Sequence, residues 1–584
     1  MDWYGWCGKL VDIDLSRRKI QVIPLELDIM RLYLGGRGLG VYLVYNELTS
    51  GIDPLSADNV LVFATGPLTG TPVPTTGRFA CVSKSPLTGT ILDSNCGGRF
   101  GPYLKFAGYD AIIVRGASRT PVYIRIADNV ISIEDARSLW GKNVRDTTAA
   151  LRGYGSVLCI GTAGERLVRF ASIMNDNTSA LGRGGLGAVM GSKNLKAIVV
   201  NGSNRPRVYE PNLLRYRNAD ITRLLVASPV SSKGLRVYGT PVLMNLINYM
   251  KVLPTANFRR STSPHAYELS GEHIHERFEV RLTPCYGCPI ACKREIRSSG
   301  MEVPEYETLA MLGTSCEVTN LNAIIEVNHL CNDYGMDTIS CGATIACYAE
   351  LNNLQLDPKT LISLVHKIGT RRDVGDELAE GARRYANKMG HPELSMDVKG
   401  LELPGYDPRG VLGMALGYAT SNRGGCHTRA YMVGMEIFGK PKLIHRLSWV
   451  GKPNLVALLQ NIFAAVDSTV MCKFALFSVS EEEIANALSA VTGIDFTSED
   501  FIQVGERIWN LERLFNLREG FTKLDDTLPE RFFQEDTDIR RISKAEFMSA
   551  LLEYYRARDW TKDGIPTYDK LQALSIAGEY SHVA

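Results

Sequence analysis

The cysteines of Pro-Cys285-Tyr-Gly-Cys288-Pro-Ile-Ala-Cys292 are spaced C-x2-C-x3-C, so three thiols share one short loop. The glycine and the proline between them disfavour a helix there. Three neighbouring thiolates can hold most of a metal cluster, and an iron–sulfur cubane takes four, of which the fourth is often remote in sequence. The loop therefore predicts a metal centre.

Zinc is the alternative metal for this loop. A structural zinc site usually combines two C-x2-C pairs, or cysteines with histidines, whereas this chain has no second C-x2-C and its nearest histidines, His273 and His275, precede the loop. The radical-SAM loop has the reverse order, C-x3-C-x2-C. The 13 cysteines of a long chain without an export signal are expected to be thiols or metal ligands. We favour an iron–sulfur cluster over zinc, and over three unrelated core cysteines.

The segment Gly182-Arg-Gly-Gly-Leu-Gly187 matches G-x-G-x-x-G but lacks the context of a dinucleotide site. That fingerprint follows a strand, opens a βαβ unit and has an acidic residue about 20 positions later. Here the glycines precede Met-Gly-Ser-Lys193 and then a strand, and no acidic residue follows until Glu210. Lys193 follows its serine, which excludes a P-loop. A phosphate cradle that includes Arg183 and a purely structural turn both stay open.

Three further groups are weak signals by themselves. Glu307 beside an apolar stretch is typical of a solvated or capping residue, and a lone His427 after two glycines and a cysteine is typical of a structural histidine. Glu326 and His329 share one face of a predicted helix, which more often indicates a surface contact than a metal site.

The elements that must position these residues change type along the chain. Up to about residue 200, short apolar strands alternate with glycine and proline, and residues 10–15 and 19–23 form a hairpin pattern. From about Pro211, apolar residues recur at i, i+3 and i+4, which predicts helices. Further strands are predicted at 60–63, 111–114, 122–126, 130–133 and 197–200, and helices at 321–333, 342–351, 376–389, 453–472 and 501–517.

These patterns predict an α+β fold of three domains. The β-rich first domain spans residues 1–207, and two mainly helical domains follow at 208–398 and 399–584. The first boundary follows from the loop-like composition of Asn201-Gly-Ser-Asn-Arg-Pro206.

Composition excludes several classes of protein. The 584 residues are 45% apolar and carry 65 Lys and Arg against 63 Asp and Glu, a net charge of +2. Such a chain is globular, and it has no basic surface of the kind that binds nucleic acid or an anionic membrane. Residues 1–14 contain four charged side chains and no apolar run, so a signal peptide is not expected. We therefore expect a cytoplasmic protein.

Over nearly its whole length the chain resembles the aldehyde:ferredoxin oxidoreductases, the tungsten bis-pterin enzymes. No single motif decides this, but many occur in the expected order. Besides the cysteine loop, they include Leu34-Gly-Gly-Arg-Gly-Leu, Thr65-Gly-Pro-Leu-Thr-Gly, Lys105-Phe-Ala-Gly-Tyr-Asp-Ala, Gly187-Ala-Val-Met-Gly-Ser-Lys, Tyr406-Asp-Pro-Arg-Gly, Asn422-Arg-Gly-Gly-Cys-His and Gly505-Glu-Arg-Ile-Trp-Asn.

The resemblance implies a role for particular residues. Cys285, Cys288, Cys292 and a remote Cys472 match the ligands of a [4Fe-4S] cluster, and Glu307 and His427 match the catalytic pair beside the tungsten. The resemblance also implies that the first domain cradles the pterin cofactor, that the cofactor lies at the domain interface, and that tungsten takes its ligands from the two pterins. The residues that match pterin contacts, including the Ala180 carbonyl on the Mg2+ that bridges the pterin phosphates, are Arg78, Asn95, Gly97, Ala180, Arg183, Asn332, Met336, Asp337, Arg423, Arg429, Asp467 and Met471.

The resemblance also implies the activity. Tungsten accepts two electrons as an aldehyde and water become a carboxylic acid, and the cluster passes them singly to ferredoxin or another electron-transfer protein. His427 is expected to hydrogen-bond the carbonyl while Glu307 takes a proton from water. A homodimer and a complex with an electron-transfer subunit both fit the resemblance. Alternatives are another substrate, such as an aryl-CoA ester or an acid reduced in reverse, and a pterin-free electron-transfer subunit.

The chain departs from the family's pattern at several positions. Ser179 stands where relatives carry a pterin-contacting arginine, Asn332 replaces an aspartate, and Val470 occupies a position where glycine is common. In relatives a glutamate and a histidine bind an iron between two subunits. Glu326 matches the glutamate, but Ile362 stands at the histidine position, with His366 one turn later, so we predict no interface iron.

Overall fold

The structure is a computed structural model of the chain that describes residues 3–578. Met1 and Asp2, part of the N-terminal stretch considered above, and residues 579–584 of the predicted third domain lie outside the described residues. Twelve of the 16 strands in the described residues precede residue 202 and most helices follow it, which confirms the predicted fold class. The domain boundaries near 207 and 398 stay predictions. No helix within the described range is long and apolar enough to cross a membrane.

Two sheets of six strands each form the first third of the described chain. Their strands in chain order are β1 Lys9–Asp14, β2 Lys19–Pro24, β3 Leu61–Ala64, β4 Phe79–Lys84, β5 Ile91–Cys96, β6 Ala111–Arg115, β7 Val122–Ala127, β8 Val130–Asp135, β9 Ser156–Cys159, β10 Ile173–Asn175, β11 Ser179–Leu181 and β12 Leu195–Asn201. The first sheet has the order β2-β1-β6-β3-β4-β5 and the second β11-β10-β9-β12-β7-β8. Two short pairs follow, β13 Val280–Leu282 with β14 Arg294–Ile296 and β15 Asp397–Val398 with β16 Leu401–Glu402.

The predicted strands are present, and the predicted hairpin is β1–β2, with Leu10 opposite Ile23. The sequence did not predict β4 and β5. Their residues are buried on both faces apart from a half-buried Asn95, so the alternation that identifies a half-buried strand is missing. The two sheets pack face to face through side chains such as Phe63 and Ile112 of the first sheet and Ile124 and Ile198 of the second.

Helices surround the sheets and build the rest of the described chain. The first six are α1 Leu27–Tyr33, α2 Gly36–Glu47, α3 Phe100–Phe106, α4 Val144–Leu151, α5 Thr162–Glu165 and α6 Leu186–Ser192. The next nine are α7 Pro211–Ala227, α8 Leu243–Tyr249, α9 Gly271–Arg277, α10 Tyr306–Thr308, α11 Leu321–Tyr334, α12 Thr338–Leu351, α13 Pro358–Thr370, α14 Val374–Leu378 and α15 Ala382–Lys388. The last eight are α16 Leu412–Ala419, α17 Val433–Glu436, α18 Lys452–Thr469, α19 Glu481–Thr492, α20 Ser498–Arg518, α21 Arg531–Gln534, α22 Lys544–Ala557 and α23 Tyr568–Ala573.

Two predicted helices differ from the structure. The helix predicted at 376–389 is two helices, α14 and α15, because Gly381 between them has a φ of +90° that no helix accommodates. The helix predicted at 453–472 ends at Thr469, because Val470 takes a φ of 58°, the left-handed conformation that terminates helices. The chain therefore turns before it reaches Cys472.

The C-terminal end of α18 lies directly against the first domain. Gly36 at the start of α2 has a φ of +40°, and a Cβ there would be 2.4 Å from the Asp467 carbonyl oxygen. A Cβ on Gly66 would lie equally close to the Thr469 carbonyl oxygen. Glycine at both positions lets the end of α18 touch the backbone of the first domain, which brings Asp467 and Cys472 next to strands that are several hundred residues earlier.

Helices α18 and α20 pack through Gly505, where a Cβ would be 1.8 Å from the Asn461 carbonyl oxygen. We expect Gly505→Ala to force the helices apart and to lower the free energy of unfolding by about 3 kcal/mol, the upper part of the usual range for an overpacked core. Gly153→Ala is the matched control, because no atom lies within 4 Å of its Cβ. Thermal and denaturant unfolding would measure both, and equal stability of the two variants would contradict the packing argument.

Candidate active site

A cavity of about 890 Å³ lies where the sheets meet the later helices. Its wall contains ten of the predicted site residues: Arg78, Asn95, Gly97, Ala180, Cys285, Cys288, Cys292, Glu307, His427 and Cys472. The predicted cluster ligands and the predicted catalytic pair therefore face one space. The remainder of the wall is largely apolar and includes Leu235, Leu243, Phe438 and Phe477.

The backbone of Thr75 joins the cysteine loop to the remote cysteine. The loop connects β13 to β14. The Thr75 N–H donates to the Gly287 carbonyl oxygen at 3.2 Å, and the Thr75 carbonyl oxygen accepts from the Cys472 N–H at 3.0 Å. Thr75 lies just before β4. The first domain therefore aligns the cysteine loop with Cys472, although Cys292 and Cys472 are 180 residues apart in sequence.

The four thiols of Cys285, Cys288, Cys292 and Cys472 line the same cavity. Among residues 3–578, no group of three His, Cys, Asp or Glu side chains is arranged to hold a single metal ion. Burial first, and then neighbouring thiols, raise the pKa of Cys288 to about 11; burial and Glu305 raise that of Cys292. Such thiols ionise at neutral pH only when a metal binds them.

Arg78 connects the thiols to strand β5. Its guanidinium donates to the Asn95 side-chain oxygen and to the Asn95 carbonyl oxygen, the latter at 3.0 Å. A Cβ on Gly97 would be 2.4 Å from Cys285 Sγ and 3.2 Å from Arg78 Nη1. Only glycine lets the strand end approach both groups, which explains why these three residues form one corner of the cavity.

A second, adjoining cavity of about 190 Å³ contains the predicted first pterin motif of the helical region. Asn332, Met336 and Asp337 line it, and it shares Ala180 and Glu307 with the larger cavity. Asp337 caps α12, accepting from the Ile339 and Ser340 N–H groups, and also accepts from Arg183 Nε at 3.1 Å. This hydrogen bond holds the Arg183 side chain behind the cavity wall.

The remaining predicted residues belong to a buried charge network behind the larger cavity. Arg429 contacts Asp93 Oδ1 at 2.5 Å and Asp467 Oδ2 at 3.4 Å. Arg37 donates two hydrogen bonds of 2.7 Å to Glu512 and also approaches Asp467 at 3.4 Å. Arg423 and Lys473 complete the network, through the Asp93 carbonyl oxygen and through Asp467 Oδ2. Met471, also predicted, is buried in the adjacent apolar core.

Glu307 and His427 face each other inside the larger cavity. His427 Nε2 is 3.6 Å from Glu307 Oε1, and Glu307 Oε2 accepts from the Gly405 N–H at 2.8 Å. The rings of Tyr406 and Tyr431 lie 5.7 and 5.9 Å from the imidazole, and their hydroxyls are 3.0 Å apart. Aromatic rings thus hold the imidazole while one carboxylate oxygen is anchored and the other faces the cavity.

Burial shifts both groups of this pair toward their neutral forms. It raises the pKa of Glu307 to about 8, against the opposing effects of the Gly405 N–H and Arg183. Burial, together with the charges of Arg183 and Arg423, holds the pKa of His427 well below 6.5. At pH 7 the carboxyl is therefore mostly protonated and the imidazole is neutral, so the pair can take up or release a proton near neutral pH.

Several buried polar atoms of the site have no hydrogen-bond partner among the described residues. They are Thr75 Oγ1, Asp93 Oδ2, Asn95 Nδ2, Glu307 Oε1, Arg423 Nε, His427 Nδ1 and Arg429 Nε. Buried polar atoms are normally paired. Four of these residues, Thr75, Asn95, Glu307 and His427, line the larger cavity, which indicates that this surface binds a polar ligand.

Comparison with known proteins identifies the family. A family model described as "Aldehyde ferredoxin oxidoreductase, N-terminal domain" matches residues 10–202, and one described as "Aldehyde ferredoxin oxidoreductase, domains 2 & 3" matches residues 217–576. The chain belongs to the aldehyde ferredoxin oxidoreductase family. It is therefore an oxidoreductase, and the resemblance inferred from its motifs is confirmed.

Relatives match over nearly the full length. Tungsten-containing aldehyde ferredoxin oxidoreductases are 44% identical in Pyrococcus furiosus, over 99% of this chain and all of the relative, and 43% identical in Thermococcus kodakarensis, over 98% and 99%. An aliphatic sulfonate oxidoreductase, WOR-like subunit, of P. furiosus is 29% identical over 98% and 97%. The solved active-site complex BamBC of benzoyl coenzyme A reductase with 1,5-dienoyl-CoA has a TM-score of 0.85, 23% identity and coverage of 99% and 98%. At that identity the likeness shows the fold alone.

Two departures from the family pattern have structural explanations. A cation still contacts Ser179, because Lys293 Nζ donates to Ser179 Oγ at 2.7 Å and to the Thr178 carbonyl oxygen at 2.6 Å. Val470 occupies the left-handed region, where a β-branched residue is strained and glycine is not. Asn332 lines the second cavity, and nothing else in the structure explains its replacement of an aspartate.

The structure adds residues that the sequence reasoning missed. Arg37, Asp93 and Lys473 contact the predicted residues Asp467 or Arg429. Glu512 pairs with Arg37, and Lys293 lines the cavity and contacts Ser179. A charged residue in an otherwise apolar segment is a signal that could have found two of them. Arg37 stands between glycines in an apolar helix, and Asp93 follows two apolar residues within a strand. A charge in such a position is usually paired inside the protein.

The glycine motif at 182–187 has more of the dinucleotide context than the sequence indicated. Strand β11 precedes it and helix α6 follows. However, β10 and β11 are antiparallel, and β12 pairs with β7 and β9 rather than with β11, so no βαβ unit forms. Ser85 Oγ donates to the Gly184 carbonyl oxygen, and the motif serves as a tight turn beside the cavities.

The raised pKa of Glu307 makes the stability of the cofactor-free chain depend on pH. Between the ordinary value of 4.5 and about 8 the folded state binds more protons at Glu307 than the unfolded state, so stability falls as pH rises through this window. Glu307→Gln removes this effect. Relative to the variant, the wild type should lose up to about 1.4 kcal/mol per pH unit.

Unfolding of both proteins between pH 5 and 8.5 would measure this difference. His427, whose lowered pKa has the opposite effect at low pH, is present in both proteins and cancels in the comparison. A difference in stability that does not change with pH would contradict the assignment.

Proposed function

We propose that this chain oxidises an aldehyde to the carboxylic acid with water, using a tungsten bis-pterin cofactor, and that a [4Fe-4S] cluster passes the electrons to ferredoxin. The balanced reaction converts RCHO and H2O into RCOOH, two protons and two electrons. The observation that carries the proposal is the shared cavity, in which four thiols, the Glu307–His427 pair and a group of partnerless polar atoms face one space.

The donor set of this cavity fits the proposed groups. Cys285, Cys288, Cys292 and Cys472 would hold the cluster. Arg78, Asn95, Gly97 and the Ala180 carbonyl lie where one pterin and the bridging Mg2+ would bind, and Asn332, Met336 and Asp337 would contact the pterin in the adjoining cavity. When bound, the tungsten cofactor would take the electron pair and the cluster would release single electrons.

The charge network behind the cavity fits the phosphate ends of the cofactor. Its basic groups are Arg37, Arg423, Arg429 and Lys473, against the three acids Asp93, Asp467 and Glu512. This excess of one basic group suits an anion, and burial lowers the pKa of Lys473 to about 7, so that an anion nearby would favour its charged form. We propose that Lys293 replaces the missing arginine at position 179 as a further cation.

Glu307 and His427 perform the proton chemistry in this proposal. The ionised form of Glu307, whose Oε1 has no partner among the described residues, takes a proton from the attacking water, and a pKa of about 8 keeps that form accessible near neutral pH. The neutral His427 donates an N–H to the aldehyde oxygen and stabilises the charge that develops there. Gly405 fixes the carboxylate, and Tyr406 and Tyr431 fix the ring.

The apolar part of the wall suggests the substrate. Leu235, Leu243, Phe438 and Phe477 are part of the cavity wall, and apolar walls favour an apolar ligand body with one polar end. We propose an aldehyde with an apolar or aromatic side chain as substrate. The cytoplasm, where a thiol-held cluster is preserved, is the proposed location.

Metal analysis tests the cofactors. For protein purified without oxygen, we expect about one tungsten and four irons per chain, four being the content of a cubane. Cys472→Ala should lower the iron content and change the cluster's electron paramagnetic resonance signal, whereas Cys81→Ala, a buried thiol of β4 outside the cavity, should leave both unchanged.

Other metal contents would contradict parts of the proposal. Zinc in place of iron would overturn the cluster. Iron without tungsten or molybdenum, from cells supplied with both metals, would favour the pterin-free subunit. An additional half iron per chain would overturn the prediction that no iron is held at Glu326.

Activity measurements test the catalytic pair. Glu307→Gln should lower kcat for aldehyde oxidation about 100-fold or more, in the range expected for loss of a general base, with tungsten and iron contents unchanged. Glu305→Gln is the matched control, because Glu305 lines the same cavity but accepts a hydrogen bond from the Thr240 hydroxyl. We expect the control to retain at least about a tenth of wild-type kcat, since it lacks the general base's role. Equal losses would remove Glu307 from the mechanism.

A further inference from the structure

The cysteine loop reaches the protein surface. Pro284, Tyr286 and Gly287 are exposed, and the three thiols beside them are half-buried. The loop is held firmly from below, because the Tyr286 N–H donates to the Gly98 carbonyl oxygen at 3.2 Å and a Cβ on Gly77 would be 2.3 Å from the Tyr286 carbonyl oxygen. The aromatic side chain of Tyr286, which is 36% exposed, is therefore held at the surface beside the thiols of the proposed cluster.

Three exposed arginines from separate segments border this loop. The Arg205 guanidinium lies 3.9 Å from the centre of the Phe106 ring, and that ring contacts Tyr286 edge-on at 6.0 Å. Arg236 Nη1 donates to the Pro289 carbonyl oxygen at 2.6 Å. Arg99 directly follows Gly98, whose carbonyl oxygen binds the loop.

The positive charge at this place is only partly balanced. Arg99 pairs with Asp176 at 3.3 Å, but neither Arg205 nor Arg236 contacts a carboxylate within the described part of the chain. Arg236 lies in the π-helical segment Val230–Tyr238. Asp128 accepts hydrogen bonds from Ser203 and Asn204, next to Arg205. The acidic run Glu481–Glu483 begins α19 near the other end of the π-helical segment, where Ser231 Oγ meets Ser478 Oγ at 2.9 Å. Because the whole chain has a net charge of only +2, the positive charge of this patch is local and not a property of the entire surface.

We propose that the surface formed by Tyr286, Arg99, Arg205 and Arg236 docks a small acidic iron–sulfur protein, which receives electrons through the cysteine loop. The inference rests on the proposed function and specifies the surface and the charge of the partner. Opposite charges steer the encounter and orient the partner, so association is fast and weakens with salt. The exposed Tyr286 ring supplies the desolvated centre that such a contact needs.

A holoenzyme that carries both Arg205→Glu and Arg236→Glu tests this surface. Its activity is measured with two alternative electron acceptors, an acidic [4Fe-4S] ferredoxin and the small dye benzyl viologen. We expect KM for ferredoxin to rise at least about tenfold at low salt, because the charge attraction is reversed. The kcat with the dye should stay within about twofold of wild type, since a dye needs no docking surface. The wild-type KM for ferredoxin should rise with salt, and that of the variant should not.

The control reverses Arg541 and Arg556, exposed arginines in and beside α22, of which Arg541 likewise donates to a carbonyl oxygen, that of Gln534. It should leave KM for ferredoxin unchanged. Arg205→Glu alone provides a second variant that leaves every hydrogen bond to the loop in place, because Arg205 contacts the Phe106 ring and its own neighbour Asn204 but no atom of the loop. We expect Arg205→Glu to raise KM for ferredoxin about threefold. If the double variant loses iron, this single variant takes its place in the test.

Two results would overturn the proposal: an unchanged KM for ferredoxin in the variants, or an equal rise in the control. Titration calorimetry with the same ferredoxin measures docking without turnover and should show binding that weakens with salt. Salt-independent binding would overturn an electrostatic surface. If the wild type oxidises no aldehyde even with the dye, the proposed function fails, whereas the calorimetric result still decides the docking surface.

Discussion

The buried charge network around Arg37 is the interaction on which the rest of the structure depends. Arg37 has no exposed surface, and its guanidinium is held by Glu512 of α20, Asp467 of α18 and Asp93 of β5. Removing one member of a buried ion pair typically costs about 3–5 kcal/mol, because the partner charge stays buried without compensation. The network therefore fixes how the late helices lie against the first sheet, and the cavity is the space between them.

The same network holds its own acidic side chains in their charged forms. Burial alone would raise the pKa of Asp93, but Arg429, Arg37 and Arg423 hold it below its usual range. These side chains are positioned by one another before any ligand arrives, which lowers the cost of ordering the site when a charged cofactor binds. Glu307 and His427 lie beyond this network, where burial without a full set of partners keeps both near their neutral forms.

Close backbone contacts complete the arrangement. Gly36 and Gly66 let the end of α18 touch the first domain, Thr75 joins the cysteine loop to Cys472, and Gly97 brings the strand end against Cys285. Each contact is made by backbone atoms or by the absence of a side chain. Substitutions at these glycines would therefore displace the cavity wall even though none of them carries a functional group.

By itself, the sequence determined the fold class, most strands of the first domain, the cysteine loop and the family, because alternation, thiol spacing and ordered motifs are local properties of the chain. It also nominated Glu307, His427 and Cys472, but only through resemblance. The fully buried strands β4 and β5, the break at Gly381 and the end of α18 at Val470 were missed or misplaced, since burial on both faces and left-handed backbone leave no periodic signal.

Only the tertiary structure decided which charges meet. The partners of Arg37 are 56 to 475 positions away in sequence, and Lys293 reaches Ser179 from a different domain-sized region. No local pattern encodes such pairs, because the pairing energy arises from burial that several distant segments create together. For the same reason the pKa shifts of Glu307 and His427, and the basic surface around Tyr286, became visible only in the folded chain.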